Sequence, residues 1–142
     1  MLIVEMMLTD GSGYLDMQVK TWRSLLAVAK SFGWQPMGTQ PNQSSVARDP
    51  EYLSYFENSY DVKEYCKNFS AADALGLSNA LLAAYALVKS GKVCFMETKG
   101  PVWLSDGMDQ KAFDQINAGL DDAMMRLAEF AAKGEFLYSW DD

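Results

Sequence analysis

The groups able to do chemistry in this chain are mostly carboxylates. Asp and Glu number 19 against 12 Lys and Arg, and there is no histidine. That absence removes the usual zinc ligand, the usual general base near neutral pH, and the ordinary Ser-His and Cys-His nucleophile pairs. Paired acids could still move protons or hold magnesium. Glu51, Glu57, Asp61 and Glu64 fall close together. Glu57, Asp61 and Glu64 would share a face only if that segment stayed helical, and a break is expected near Ser59. Asp121 and Asp122 are neighbours, which a helix points about 100° apart, so they make a poor joint site. A solvated acidic face is the plainer reading of both groups.

Asp10, Ser12, Tyr14 and Asp16 have the alternating spacing of a calcium loop, but the third acid, the sixth-position Gly and the closing Glu are missing. Asp10-Gly11-Ser12-Gly13 lacks the lysine and the spacing of a phosphate-binding loop. Cys66 and Cys94 share no short metal or redox spacing, and only Lys63 and Lys67 stand near Cys66 to favour a thiolate. No catalytic residue, metal or cofactor is assigned on these grounds. Both cysteines are expected as free thiols, with a disulfide between them left open.

The candidate binding residues are aromatic. Gly33-Trp34-Gln35-Pro36-Met37-Gly38-Thr39 is the most distinctive short segment. Its functional reading is a binding loop with Trp34 as anchor and Gln35 and Thr39 beside it, because Trp offers large contact area and one donor. Its plainer reading is a helix stop with Trp34 folded back onto the core. Tyr52, Tyr55 and Phe56 belong to a second cluster, rich in aromatics and acids, running from Glu51 to Phe69. With Trp34 they could line a pocket, although such clusters are more often packing whose hydroxyls reach water.

The elements that must position these groups are organised around Ser70 to Lys89. Ser70 is an N-cap residue, and Asp73 three positions on suits the positive helix end. Ala74, Leu77, Leu81, Ala84, Tyr85 and Val88 recur at helical spacing, and Leu75, Leu82 and Leu87 fill much of the other side. A helix apolar nearly all round is expected to be buried. Its unbroken apolar run, Ala80 to Val88, falls short of the roughly 20 residues a bilayer requires.

Before it, Leu2 to Leu8 and Tyr14 to Val19 read as a β-hairpin turning at Asp10-Gly11. A helix is expected from Thr21 to Phe32, stopped by Gly33 and Pro36. Met37 to Pro50 reads as a loop, and Asp49-Pro50-Glu51 as a helix start. After it, Lys92 to Met96 and Val102 to Leu104 read as short strands joined by Thr98 to Pro101. A long helix is expected from Met108 to Lys133, and Phe136, Tyr138 and Trp140 alternate as on a strand.

The chain has 142 residues and a net charge of −7, enough for one domain with a real core. The acidic balance argues against nucleic acid and against an anionic membrane surface. It permits a basic protein partner, or simply good solubility. The first residues, with Glu5 inside the apolar run, do not read as a signal peptide, so a cytoplasmic setting is expected.

Three stretches, Trp22 to Thr39, Ser70 to Leu82 and Leu127 to Tyr138, together resemble small uncharacterised bacterial proteins. In those a tryptophan-led helix ends in Gly-Trp-x-Pro-x-Gly-Thr, and a capped Ser-x-x-Asp-Ala helix follows. The resemblance implies a compact, mainly helical domain and carries no activity or catalytic residue.

The expectation is therefore a single α+β domain over residues 1–142, mainly α. Three principal helices surround a central buried one, with short strands and hairpins. The functional expectation is a non-enzymatic protein-binding role, immunity-like or regulatory. The alternative is a small-molecule binder or acid-dependent enzyme with an aromatic pocket. A homodimer through strands near the termini is left open.

Overall fold

The computed structural model describes residues 2–41, 43–61, 67–91, 93–96, 100–103, 107, 109–117 and 119–141; for 93–96, 100–103, 113, 116, 117 and 141 it describes the backbone alone. The elements in chain order are β1 (Ile3–Leu8), β2 (Tyr14–Gln18), α1 (Val19–Ser31), α2 (Gln43–Arg48), α3 (Tyr52–Tyr55), β3 (Lys67–Phe69), α4 (Ala71–Lys89), β4 (Val93–Met96), β5 (Gly100–Trp103), α5 (Gln110–Asn117), α6 (Leu120–Ala131) and β6 (Phe136–Asp141). This is an α+β fold.

The hairpin forms as its turn residues dictate. Asp10 Oδ1 accepts from the Ser12 N–H at 2.8 Å, and Gly11 takes a φ of 77°. β1 then pairs with β2 on one side and β6 on the other, and β6 also pairs with β3, all antiparallel. The sheet order is β2-β1-β6-β3, so β2 and β3 are the edges. β4 and β5 make a separate two-stranded hairpin.

Period-2 alternation sorts the larger sheet into two faces. Val4, Met6, Leu8, Phe69, Phe136, Tyr138 and Trp140 are buried on the inner one. Against it lie Trp22 and Leu25 of α1, Leu77 and Leu81 of α4, and Met124 and Leu127 of α6. No helix covers the other face among the described residues.

Helix punctuation sets the start of α4 and the end of α1. Ser70 caps α4, its hydroxyl accepting from the Asp73 N–H. α1 ends in paired reverse bonds, Gly33 N–H to Lys30 O and Trp34 N–H to Ala29 O, with Gly33 at φ 89°. That turn aims Trp34 back under the helix instead of onward into solvent.

Several expectations differ from the structure. α1 begins at Val19, directly off β2, and Thr21 caps nothing. The expected long helix from Met108 to Lys133 is two helices, broken where Gly119 adopts φ 87°. β3 was not anticipated, because three residues carry no usable alternation. The expected loop from Met37 to Pro50 contains α2.

α4 is not buried all round: it packs against α6 and α1, while Leu75 and Leu82 are exposed on its outer side. By length and composition alone it is apolar enough to cross a membrane, which the shorter run Ala80 to Val88 did not reveal. Cys66, residues 97–99 between β4 and β5, and the Cys94 side chain lie outside the described residues, while Gly100 and Pro101, expected in the turn, belong to β5.

Candidate functional site

Trp34, the candidate anchor, is only 6% exposed, as its plainer reading of a ring folded back onto the core requires. Its ring stacks near Phe69 and Tyr60, with centroids 5.9 and 6.3 Å away. Its Nε1 donates to Asp73 O at 3.0 Å, so the one donor of the side chain is also used inside. A Cβ on Gly76 would lie 2.9 Å from Trp34 Cδ1, so α4 is cut away where the indole rests. Gln35 is exposed. Thr39 is buried, its hydroxyl donating to Glu57 O at 3.4 Å. Tyr52 and Phe56 meet at 5.9 Å, and Tyr55 is 77% exposed.

Neither of the two clefts at Trp34 among the described residues takes in Tyr52, Tyr55 or Phe56. A cleft of about 250 Å³ beside Trp34 is lined by Lys30, Pro36, Gly38, Asn58 and Tyr60, among others, and includes none of Tyr52, Tyr55 and Phe56. A shallower one of about 350 Å³, between Trp34 and α4, likewise includes none of them. The helical continuity that Glu57, Asp61 and Glu64 required is absent, because α3 stops at Tyr55. Asp61 instead accepts from Arg23 Nε at 2.9 Å, and Glu64 lies outside the described residues. Asp121 and Asp122 separate as expected of helix neighbours: one pairs with Lys89 at 3.4 Å, the other with Arg126 at 3.0 Å. No group of three or more potential metal ligands occurs among the described residues.

The residue that sequence reasoning placed too modestly is Asp73. It is 5% exposed, and its carboxylate gathers three donors from two distant segments. Met37 N–H and Gly38 N–H reach it at 3.0 and 3.1 Å, and Tyr60 Oη at 2.7 Å. Gly38 is needed there: at φ 83° a side chain would collide with Asn58, whose Nδ2 donates to Met37 O at 2.8 Å. Burial, and then the bond to Asp73, holds the Tyr60 phenol well above its ordinary ionisation range. Lys67, also buried, donates from Nζ to Glu57 O at 2.9 Å and Ser59 O at 3.4 Å. Asp73 and Lys67 thus fasten the chain between Trp34 and Tyr60 to the core. A buried carboxylate with satisfied partners is a structural device first.

The uncovered face of the larger sheet has the opposite character. The register sets Tyr14, Met7 and Leu137 side by side across β2, β1 and β6, and the next row is Asp16, Glu5 and Ser139. Met7 is 52% exposed, Tyr14 55% and Leu137 38%. An apolar row therefore adjoins an acidic one, and the described residues of this face include no Lys or Arg.

Glu5 and Asp16 stand directly opposite each other, a like-charge arrangement that weakens strand pairing. What bridges them is the Tyr14 hydroxyl, 3.1 Å from Asp16 Oδ2 and 3.3 Å from Glu5 Oε1. Desolvation, with hydrogen bonds to Asp16 and Glu5, pushes this phenol up to about 12. A shallow cavity of about 150 Å³ lies here between Glu5, Met7, Tyr14, Leu137 and Ser139. The signal was present in the sequence: once the hairpin turn is fixed, register alone sets Glu5 against Asp16.

No protein-family model matches this chain, and no curated protein or solved structure matches it either.

Proposed function

We propose that this chain is a non-enzymatic protein-binding module, immunity-like or regulatory, whose partner presents a basic surface to the open face of its sheet. One observation carries the reading. The exposed row Tyr14, Met7 and Leu137 abuts Glu5 and Asp16, which have no cation beside them among the described residues. Apolar side chains supply desolvated contact, and the acids steer and select a partner of opposite charge. The net charge of −7 extends that steering beyond the contact itself. Trp34 has no part in this contact, because it is spent on the core.

The test compares the full chain with its Glu5→Lys, Asp16→Lys double variant, each immobilised and exposed to extract from its own cells. The reading expects a basic protein held by the native chain and released by the double variant. Added salt should slow its association more than it speeds its dissociation, since screening acts over about 8 Å at physiological ionic strength. Recovery of the same proteins by both chains would refute it.

A further inference from the structure

We infer that the partner engages this face by adding an extended, basic strand to the free edge of β2. The inference rests on the protein-binding reading and specifies its mode.

Gly13 O accepts from Leu8 N–H, and Val19 N–H donates to Leu2 O. Odd-numbered residues of β2 therefore direct their backbone groups toward β1, and by alternation Tyr14 and Asp16 direct theirs outward. Among the described residues no strand pairs with that edge. Tyr14 to Gln18 contains no Lys and no Pro, and its one charge is Asp16, which repels an acidic strand and admits a basic one.

The side chains specify the occupant. On the outer face an added residue opposite Asp16 would meet two carboxylates, Asp16 and Glu5, and a Lys or Arg there would neutralise the repulsion between them. On the inner face Leu15 and Met17 are only partly buried against the core, and apolar residues of an added strand would cover them. The fitting segment therefore alternates apolar and basic residues, and main-chain bonds supply affinity while alternate side chains supply selectivity. A second copy fits poorly. Antiparallel self-pairing of β2 centred on Asp16 sets Asp16 against its own counterpart, which disfavours the pair.

The probe is a short peptide alternating valine and lysine, titrated into the isotopically labelled full chain and followed by backbone amide shifts. Saturable binding with shifts concentrated on Tyr14 to Gln18 is expected. Replacing the peptide's lysines by glutamates should abolish it, and Glu5→Gln with Asp16→Asn should weaken it about tenfold or more. Methylating the backbone nitrogens of the peptide's lysines, the set that faces β2 when lysine stands opposite Asp16, should abolish binding with every side chain retained.

If the methylated peptide binds as tightly as the parent, strand addition is overturned while the face remains a basic-partner site. If neither peptide binds, the inference falls, and loss of charge-dependent capture in the extract experiment decides separately whether the binding reading falls with it. Self-association of the free chain that protects the β2 amides would also overturn it, by giving the edge to a second copy.

Discussion

Tyr60 and Tyr14 both donate to carboxylates, and the two settings assign them opposite work. Tyr60 meets Asp73 at 2.7 Å inside the core, where two backbone N–H groups complete the carboxylate's shell. Tyr14 meets Asp16 at 3.1 Å and Glu5 at 3.3 Å on the open sheet face, where one hydroxyl serves two acids. With Asp73 5% and Tyr60 3% exposed, little solvent reaches the first site to replace a lost partner, whereas water readily does so at the second. The same pair of functional groups is therefore structural where it is buried and saturated, and available where it is exposed and shared.

The comparison breaks if the buried network proves dispensable. Asp73→Ala strands the Tyr60 hydroxyl and the Met37 and Gly38 N–H groups, and should cost about 3–5 kcal/mol in a denaturant melt. Trp34→Ala should cost a similar amount, about 3–5 kcal/mol, by leaving a cavity between α4 and the sheet. A Trp34→Ala protein as stable as the native chain would return that residue to the role of an exposed anchor.

Tyr60→Phe isolates one bond to a charged group and should cost about 1.5–3 kcal/mol. Tyr14→Phe should leave the melt unchanged. Ultraviolet titration of the phenols gives the smallest and most specific signal. Tyr14 should ionise near 12, and Tyr14→Phe should remove that step. Because desolvation, and then its hydrogen bonds to Asp16 and Glu5, raises this phenol from 10.0 to about 12, ionising it penalises the native chain. Native protein and Tyr14→Phe should therefore melt alike below pH 10, and the native protein should lose stability relative to the variant as pH rises from 10 to about 12.

How much of this was legible in the sequence depends on how local the cause is. The hairpin, the Ser70 cap, the reverse turn at Gly33 and the alternation of Phe136, Tyr138 and Trp140 are each decided within a few residues, and each was readable. β3 was not, because a strand of three residues exists only through its partner β6, far along the chain. The break at Gly119 was hidden because the apolar spacing continues on both sides of it. α4 misled because a helix apolar all round leaves open which side finds neighbours. Asp73 was readable as a helix-start acid, but its bonds to Met37, Gly38 and Tyr60 require the tertiary fold. Trp34 shows the converse: its Gly and Pro neighbours fit both a displayed and a folded-back ring, and only Gly76 and Asp73 of α4 decide between them.

The most direct test of the contrast needs no partner. Glu5→Gln with Asp16→Asn, and separately Asp73→Asn, are melted in denaturant under identical conditions. The account predicts that Asp73→Asn loses stability, because an amide cannot accept from all three donors as the carboxylate does. It predicts that the Glu5, Asp16 double variant melts at or above the native midpoint, because an opposed like-charge pair has been removed. A double variant destabilised as much as Asp73→Asn would mean that the exposed acids hold the fold, contradicting their assignment to binding.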